Sequence, residues 1–86
     1  MSQQFERYFI ITELDGRRVA STERWKGSPL CETRVFQDAR PWVALYAESH
    51  PVESTNEELR DHHARICEGI RSGAIELEGN ARSSPI

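Results

Sequence analysis

Two adjacent histidines and a cysteine are the residues of this sequence best suited to chemistry. His63 and Cys67 are four positions apart, so they would share one face of a helix. Imidazole nitrogens and thiolates are ligands that zinc prefers. His62, together with Cys31 or His50 from elsewhere in the chain, could complete a set of four ligands. The residue types therefore raise a zinc site as one hypothesis.

The same residues also fit the apolar core of a helix. Leu59, Ile66 and Ile70 recur at helical spacing. His63 falls near the middle of this stripe, and Cys67 lies at its edge, where a thiol behaves as a small apolar group. The chain has no CxxC or HxxxH pattern. We therefore expect core residues rather than ligands, with no metal and no cofactor.

A cysteine–histidine nucleophile is the corresponding catalytic hypothesis. Cys67 beside His63 could be activated as a thiolate. Catalysis would also need an exposed thiol, an oxyanion site and a substrate cleft, for which a chain this small has little room. The glycines form neither a GxGxxG nor a Walker loop. We expect no catalytic residue and no small-molecule substrate, so the sequence predicts that the protein is not an enzyme.

Basic residues in the first third of the chain suggest nucleic-acid binding as an alternative. Arg18, Arg24 and Lys26 are interleaved with aromatic residues, and such a surface can track phosphates and stack bases. However, acidic residues are spread through the same segment, and the net charge of the chain is −3. This balance argues against electrostatic binding to nucleic acid or to an anionic membrane. A solvated surface of mixed charge is the simpler interpretation.

Length and composition favour a single thin domain. The chain has 86 residues, of which 37% are apolar and 29% charged, which suits one sheet layered against helices. Small domains often complete their core with a second copy, so a homodimer is expected. We expect one domain over residues 1–79 and a flexible tail over 80–86. Without a signal-peptide or membrane-helix pattern, a cytoplasmic protein with reduced thiols and no membrane partner is expected.

A β-hairpin is the clearest predicted element. Residues 5–14 are rich in aromatic and β-branched side chains, and residues 17–25 return as the second strand. Asp15-Gly16 between them is typical of a two-residue type I′ turn, which would pair Thr12 with Val19. This register gives the ribbon two apolar faces. One carries Phe5, Phe9, Ile11 and Ala20, and the other carries Tyr8, Ile10, Leu14, Val19 and Trp25.

A third strand and a first helix are predicted next. Residues 30–37 alternate between apolar and polar side chains, as a strand does. Asp38 is a suitable N-cap, and Pro41 is tolerated in the first turn of a helix. That helix would run to about residue 49 and be largely buried through Trp42 and Tyr46.

A second helix and a short last strand complete the predicted fold. Ser54-x-x-Glu57 or Thr55-x-x-Glu58 is typical of a capping box, and the helix would end at about Ser72. Residues 74–78 would form the last strand. The predicted class is α+β with two layers, in the order β-β-β-α-α-β. A three-stranded antiparallel meander, extended by the last strand, packs against two helices.

A hairpin that is apolar on both faces indicates a binding surface. One face should pack on the helices, and the other needs a cover from a partner or from a second copy. We therefore expect a non-enzymatic protein-interaction module, an adaptor or inhibitor of a kind common among phage and mobile-element products. The residues expected to bind the protein partner are Tyr8, Ile10, Leu14, Val19 and Trp25.

Overall fold

The computed structural model describes residues 6–77, which form one four-stranded antiparallel sheet and one helix. The strands follow one another in chain order: β1 (Tyr8–Glu13), β2 (Arg18–Arg24), β3 (Cys31–Gln37) and β4 (Arg40–Ser49). Helix α1 (Asn56–Ser72) packs against β2 and β1. The α+β class is confirmed, but the order over the described residues is β-β-β-β-α.

The first hairpin is present, but its register differs by one residue from the predicted one. Thr12 lies opposite Ala20 rather than Val19. The difference arises because three residues, not two, form the loop. The Leu14 amide donates to the Arg18 carbonyl across it, at 2.8 Å. Such a shift changes which residues of one strand share a face with those of the other.

Asp15 accounts for the longer loop. Its Oδ1 accepts hydrogen bonds from the Arg17 and Arg18 amides, both at 2.9 Å, and so draws Arg17 into the turn. A type I′ turn needs positive φ at both central residues. Within residues 6–77 only Gly27 and Gly73 have positive φ. A turn held by the aspartate side chain therefore replaces the predicted type I′ turn.

The predicted first helix is wrong, because its residues form the edge strand β4. Gln37 pairs with Arg40, so Asp38 lies in a tight turn between β3 and β4 and caps no helix. Pro41 is tolerated because an edge strand leaves some of its amides unpaired. Pairing with β3 through six residue pairs outweighs the local preference for a helix.

An irregularity in β4 explains why its sequence resembles a helix. The pairing passes from Val35–Tyr46 to Phe36–Ala44 and leaves Leu45 as an extra residue, which is a β-bulge. Leu45 and Tyr46 consequently both pack against the core. Two adjacent apolar residues on one side break the alternation of a strand and imitate helical spacing.

Helix α1 is confirmed together with its capping box. Thr55 is the N-cap: its hydroxyl accepts from the Glu58 amide at 3.0 Å, and the Glu58 carboxylate accepts from the Thr55 amide at 2.9 Å. Gly73 ends the helix in the left-handed region, with φ of 85°. The predicted last strand is absent from residues 74–77. Its final residue and the predicted tail lie outside the described range.

The core lies between α1 and the face of the sheet that α1 covers, which we call the inner face. It is small, as the composition predicts. Two threonines, Thr22 and Thr33, are completely buried at the centre of this face. The centre of the inner face is therefore polar. The apolar core residues around it are Ala20, Val35, Ile66, Cys67, Ile70 and Leu77.

Candidate functional site

A chain of hydrogen bonds crosses the inner face from β1 to the end of β4. Thr12 Oγ1 is joined to His63 Nε2 at 2.8 Å, and His63 Nδ1 to Thr22 Oγ1 at 2.7 Å. Thr22 Oγ1 is joined to Thr33 Oγ1 at 2.6 Å, and Thr33 Oγ1 to His50 Nε2 at 2.8 Å. Strand alternation and the cross-strand pairing of Thr22 with Thr33 produce this alignment. We call these five residues the threonine–histidine chain.

His63 is a core residue, as predicted, but its partners are threonine hydroxyls rather than backbone groups. The residue is 3% exposed, and burial lowers its pKa, so its ring is neutral near pH 7. Burial also raises the pKa of the neighbouring Cys67 thiol. Both ring nitrogens of His63 are engaged by threonines. This arrangement gives no support to a thiolate activated by a histidine base.

His50 and His62 meet Glu48 at the rim between β4 and α1. The two rings stack with centroids 4.4 Å apart and planes inclined by 10°. One nitrogen or carboxylate oxygen from each of the three residues lies within 4.8 Å of the others. Arg65 adjoins them, since its Nη2 donates to Glu48 Oε2 at 2.7 Å and lies 3.2 Å from His62 Nδ1. We call Glu48, His50 and His62 the rim cluster.

Burial and hydrogen bonding set the charges in the rim cluster. Burial, reinforced by the nearby His62, lowers the pKa of His50. Burial opposes ionisation of Glu48, but hydrogen bonds from Tyr46 and Arg65 outweigh it and lower the pKa of this carboxyl. Near pH 7 the cluster therefore holds a neutral His50 imidazole beside a carboxylate.

The opposite face of the sheet, which we call the outer face, carries exposed apolar side chains. Phe9 and Ile11 of β1 are 50% and 58% exposed on it. Trp42, in the irregularly paired part of the edge strand β4, is 72% exposed. No helix of residues 6–77 packs on this face. A shallow depression in it is lined by Ile11, Glu13, Val19, Phe36 and Asp38.

Arginine side chains lie over aromatic rings of the outer face and its border. The guanidinium of Arg7 is 4.9 Å from the ring centroid of Phe9 and 4.4 Å from that of Trp25. The guanidinium of Arg34 is 5.3 Å from the ring centroid of Phe36. Such cation–π contacts order the arginines against the apolar surface while leaving charge at its edge.

The residues predicted to bind a partner do not share one face, so that part of the prediction is wrong. The observed register puts Tyr8, Ile10 and Leu14 on the inner face, where Leu14 packs against the core. Val19 lies on the outer face, and Trp25 follows the end of β2 with 40% of its surface exposed. Whether any of these residues binds a partner stays a prediction.

Sequence reasoning missed Phe9, Ile11 and Trp42 as surface residues. Phe9 and Ile11 belong to the ribbon face that carries Val19, a grouping that follows directly from the observed register. Trp42 was assigned to the core only because its segment resembled a helix. Strand alternation was therefore the available signal. The one-residue register error concealed it for Phe9 and Ile11, and the predicted helix concealed it for Trp42.

The basic residues predicted for nucleic-acid binding do not form one patch. Arg24 is only 4% exposed, and its guanidinium donates to oxygens of the residues that begin α1. Arg18 forms an ion pair with Asp15 at 2.8 Å, and Lys26 lies 3.9 Å from the Glu6 carboxylate. The hydrogen bonds of the buried Arg24 side chain connect β2 to the start of α1. A role of these residues in nucleic-acid binding stays a prediction.

No family model, curated protein or solved structure matches this chain. Over residues 6–77, no helix combines the length and apolar character needed to cross a membrane. The function therefore has to be inferred from the chemistry of the two sheet faces and the rim.

Proposed function

We propose that this protein is a small non-enzymatic interaction module whose outer face binds a second copy of the chain. The observation that carries the proposal is the exposure of Phe9 and Ile11 on the face opposite α1, together with that of Trp42 on the edge strand β4. Phe9 and Ile11 are neighbours on one side of β1, and exposed apolar patches are typical of protein-binding sites. Val19 and Phe36, which line the depression between these strands, extend the same surface.

The charges around the apolar residues favour a second copy as the partner. Glu23 lies directly opposite Glu32 on the outer face, and like charges in this position destabilise a sheet. Arg7 and Arg34 border the same face. The outer face therefore carries both signs of charge and can complement itself. A two-fold axis would bring arginines of one copy near glutamates of the other.

The thin core supports the same proposal. Two sheets packed face to face bury their facing side chains in a layer about 10 Å thick. Association through the outer face would thus create a second apolar layer and give the sheet a cover on both sides. Small domains with little core frequently gain stability in this way.

A cytoplasmic location accompanies the proposal. Cys31 and Cys67 are both buried and free of a disulfide, which supports a reducing compartment.

The test is the solution mass of the wild type and of Ile11→Lys, measured by light scattering over a range of concentrations. We expect a dimeric wild type and a monomeric variant, because a lysine within the interface would have to bury its charge. Leu30→Lys is the matched control. Leu30 is also an exposed apolar residue, 43% exposed, but it lies in the β2–β3 loop, so this variant should stay dimeric.

A wild type that remains monomeric at high concentration would overturn the second copy as partner. Dissociation of Ile11→Lys and Leu30→Lys to the same degree would move the interface away from the outer face. A protein that binds the wild type and not Ile11→Lys, without self-association, would assign the face to a different partner.

Single-stranded nucleic acid is the second candidate ligand of the outer face. The observation that favours it is the placement of Arg7 and Arg34 over aromatic rings on an open sheet, an arrangement that can stack bases and bind phosphates. Ile11→Lys separates the two functions, since an added lysine should strengthen binding to an oligonucleotide while it disrupts the dimer. Binding is measured by fluorescence anisotropy of a labelled single-stranded oligonucleotide at low salt. If neither the wild type nor Ile11→Lys binds, nucleic acid is rejected as a ligand.

A further inference from the structure

We propose that the rim cluster, Glu48, His50 and His62, binds a divalent transition-metal ion, with zinc as the preferred ion. Two imidazoles and one carboxylate form a three-ligand set that zinc accepts, with a fourth position left for water. Their ligand atoms already lie within 4.8 Å of one another. This site differs from the one considered from the sequence, because Glu48 joins His50 and His62 while His63 and Cys67 take no part.

Small side-chain movements would convert the present geometry into a coordination site. Zinc binds histidine nitrogen at about 2.0–2.1 Å, so the three ligand atoms must draw closer together. His50 already uses Nε2 on Thr33 and presents Nδ1 to the ion. The nitrogen lone pairs of two stacked rings lie in parallel planes and cannot converge on one ion, so the His62 ring has to turn toward it. His62 is only half-buried on α1, which leaves it free to turn.

Arg65 currently fills the position of the cation in the rim cluster. Its guanidinium lies against both Glu48 Oε2 and His62 Nδ1, two of the groups that would hold the metal. The Arg65 side chain is 51% exposed. Metal binding would therefore displace it into solvent at little cost, since exposed ion pairs contribute little to stability.

Hydrogen bonds around the ligands match those of protein metal sites. Ligating histidines usually donate their other ring N–H, and ligating carboxylates accept additional hydrogen bonds. His50 Nε2 is 2.8 Å from the Thr33 hydroxyl, and the Tyr46 hydroxyl donates to Glu48 Oε1 at 2.7 Å.

A metal at this position would connect parts of the fold that are otherwise weakly joined. Helix α1 packs mainly on β2 and β1, toward the edge of the sheet that lies opposite β4. An ion held by Glu48, His50 and His62 would fasten the end of β4 to α1. We therefore expect the thermal midpoint to rise when zinc is added.

The test is calorimetric titration of the full, untagged chain with Zn²⁺ alone, followed by Co²⁺ absorption to report the ligand set. We expect one ion per chain. Replacing a ligand, in His62→Ala or Glu48→Gln, should lower the affinity at least tenfold, and Arg65→Gln should raise it by removing the competing cation. Asp61→Asn is the matched control, an exposed acidic residue adjacent to His62 on the same helix, and its affinity should be unchanged.

Absence of Zn²⁺ binding by the folded wild type would overturn the proposal. So would unchanged affinity in both His62→Ala and Glu48→Gln, or an equal loss in Asp61→Asn, which would indicate general attraction to acidic surface. Circular dichroism of each variant separates loss of a ligand from loss of folding. Because Ile11 lies on the outer face, Ile11→Lys should bind Zn²⁺ as the wild type does, whether or not the dimer forms.

Discussion

Thr22 shows at the scale of single residues how this protein stabilises a polar core. Its hydroxyl joins His63 Nδ1 and Thr33 Oγ1, and all three residues are buried. Among the described residues, every buried side-chain nitrogen and oxygen has a hydrogen-bond partner. Satisfied polar groups of this kind are tolerated in a core, whereas unsatisfied ones are strongly destabilising.

Removal of the Thr22 hydroxyl should therefore destabilise the fold. Thr22→Val keeps the shape of the side chain but removes the partner of His63 Nδ1 and one of the two side-chain partners of Thr33 Oγ1. We expect the free energy of unfolding to fall by about 1–3 kcal/mol. Urea denaturation measures the change. Ser21→Ala is the control, because Ser21 is on the outer face and bonds only to Glu23, so its loss should be smaller.

The buried histidines should make the protein sensitive to mild acid. The pKa values of His50 and His63 lie below their ordinary value of 6.5 because burial disfavours the charged ring. The unfolded chain therefore binds more protons below about pH 6.5, and stability present above that pH is lost as the pH falls through the folded values.

Thermal midpoints at pH 7.5 and pH 5.5 test this expectation. The midpoint should be lower at pH 5.5, and His63→Asn should show a smaller difference between the two values. The environment of His50 includes His62, Glu48 and Arg65. Glu48 titrates below its ordinary value of 4.5, outside this window. An equal thermal midpoint at both pH values would contradict a role of the buried histidines in acid sensitivity.

At the scale of elements, helix α1 depends on its first turn. Without Thr55 the amide of Glu58 loses its acceptor. Thr55→Ala should lower the free energy of unfolding by about 0.5–2 kcal/mol, as measured by urea denaturation. Thr55→Ser keeps the hydroxyl and should stay close to the wild type. Equal losses in the two variants would show that the methyl group, and not the cap, is responsible.

Elements whose signals are local were predictable from the sequence. The capping box at Thr55, one of two that the sequence offered, and the terminating Gly73 lie at the ends of the helix that they define. The hairpin was also found, but its register depends on hydrogen bonds to the Asp15 side chain, which residue types alone do not reveal. Strand β4 was missed because its bulge places Leu45 and Tyr46 on the same side.

The rim cluster could not be assembled from the sequence for a related reason. His62 and His50 were both recognised as candidate ligands, but Glu48 was not, and the three meet only when β4 pairs with β3. Because a helix was predicted in place of β4, the sequence did not assign the Glu48 side chain to the inner face of the sheet. The error in one element therefore concealed a site that depends on pairing between distant parts of the chain.

At the scale of the whole molecule, the two sheet faces differ sharply in cover. The inner face is closed by α1, while Phe9 and Ile11 remain exposed on the outer face. Folding and self-association should consequently be coupled in the proposed dimer, because partner binding stabilises only the folded chain.

Concentration dependence of the thermal midpoint measures this coupling. We expect the wild-type midpoint to rise with protein concentration, and that of Ile11→Lys to remain constant. At the lowest concentrations the two midpoints should converge, since the substitution is at an exposed position. A wild-type thermal midpoint that does not change with protein concentration would contradict the proposed dimer of folded chains.

The hydrogen bonds of the threonine–histidine chain can all point in either of two directions. Hydroxyls and neutral imidazoles each donate once and also accept, so the whole chain can run from Thr12 to His50 or from His50 to Thr12. Reversal moves only hydrogens, yet it exchanges the tautomers of His63 and His50 together. An ion bound at His50 Nδ1 would place the hydrogen on Nε2 and fix the second direction. The protonation pattern at Thr12, on the opposite edge strand, would then report what is bound at the rim.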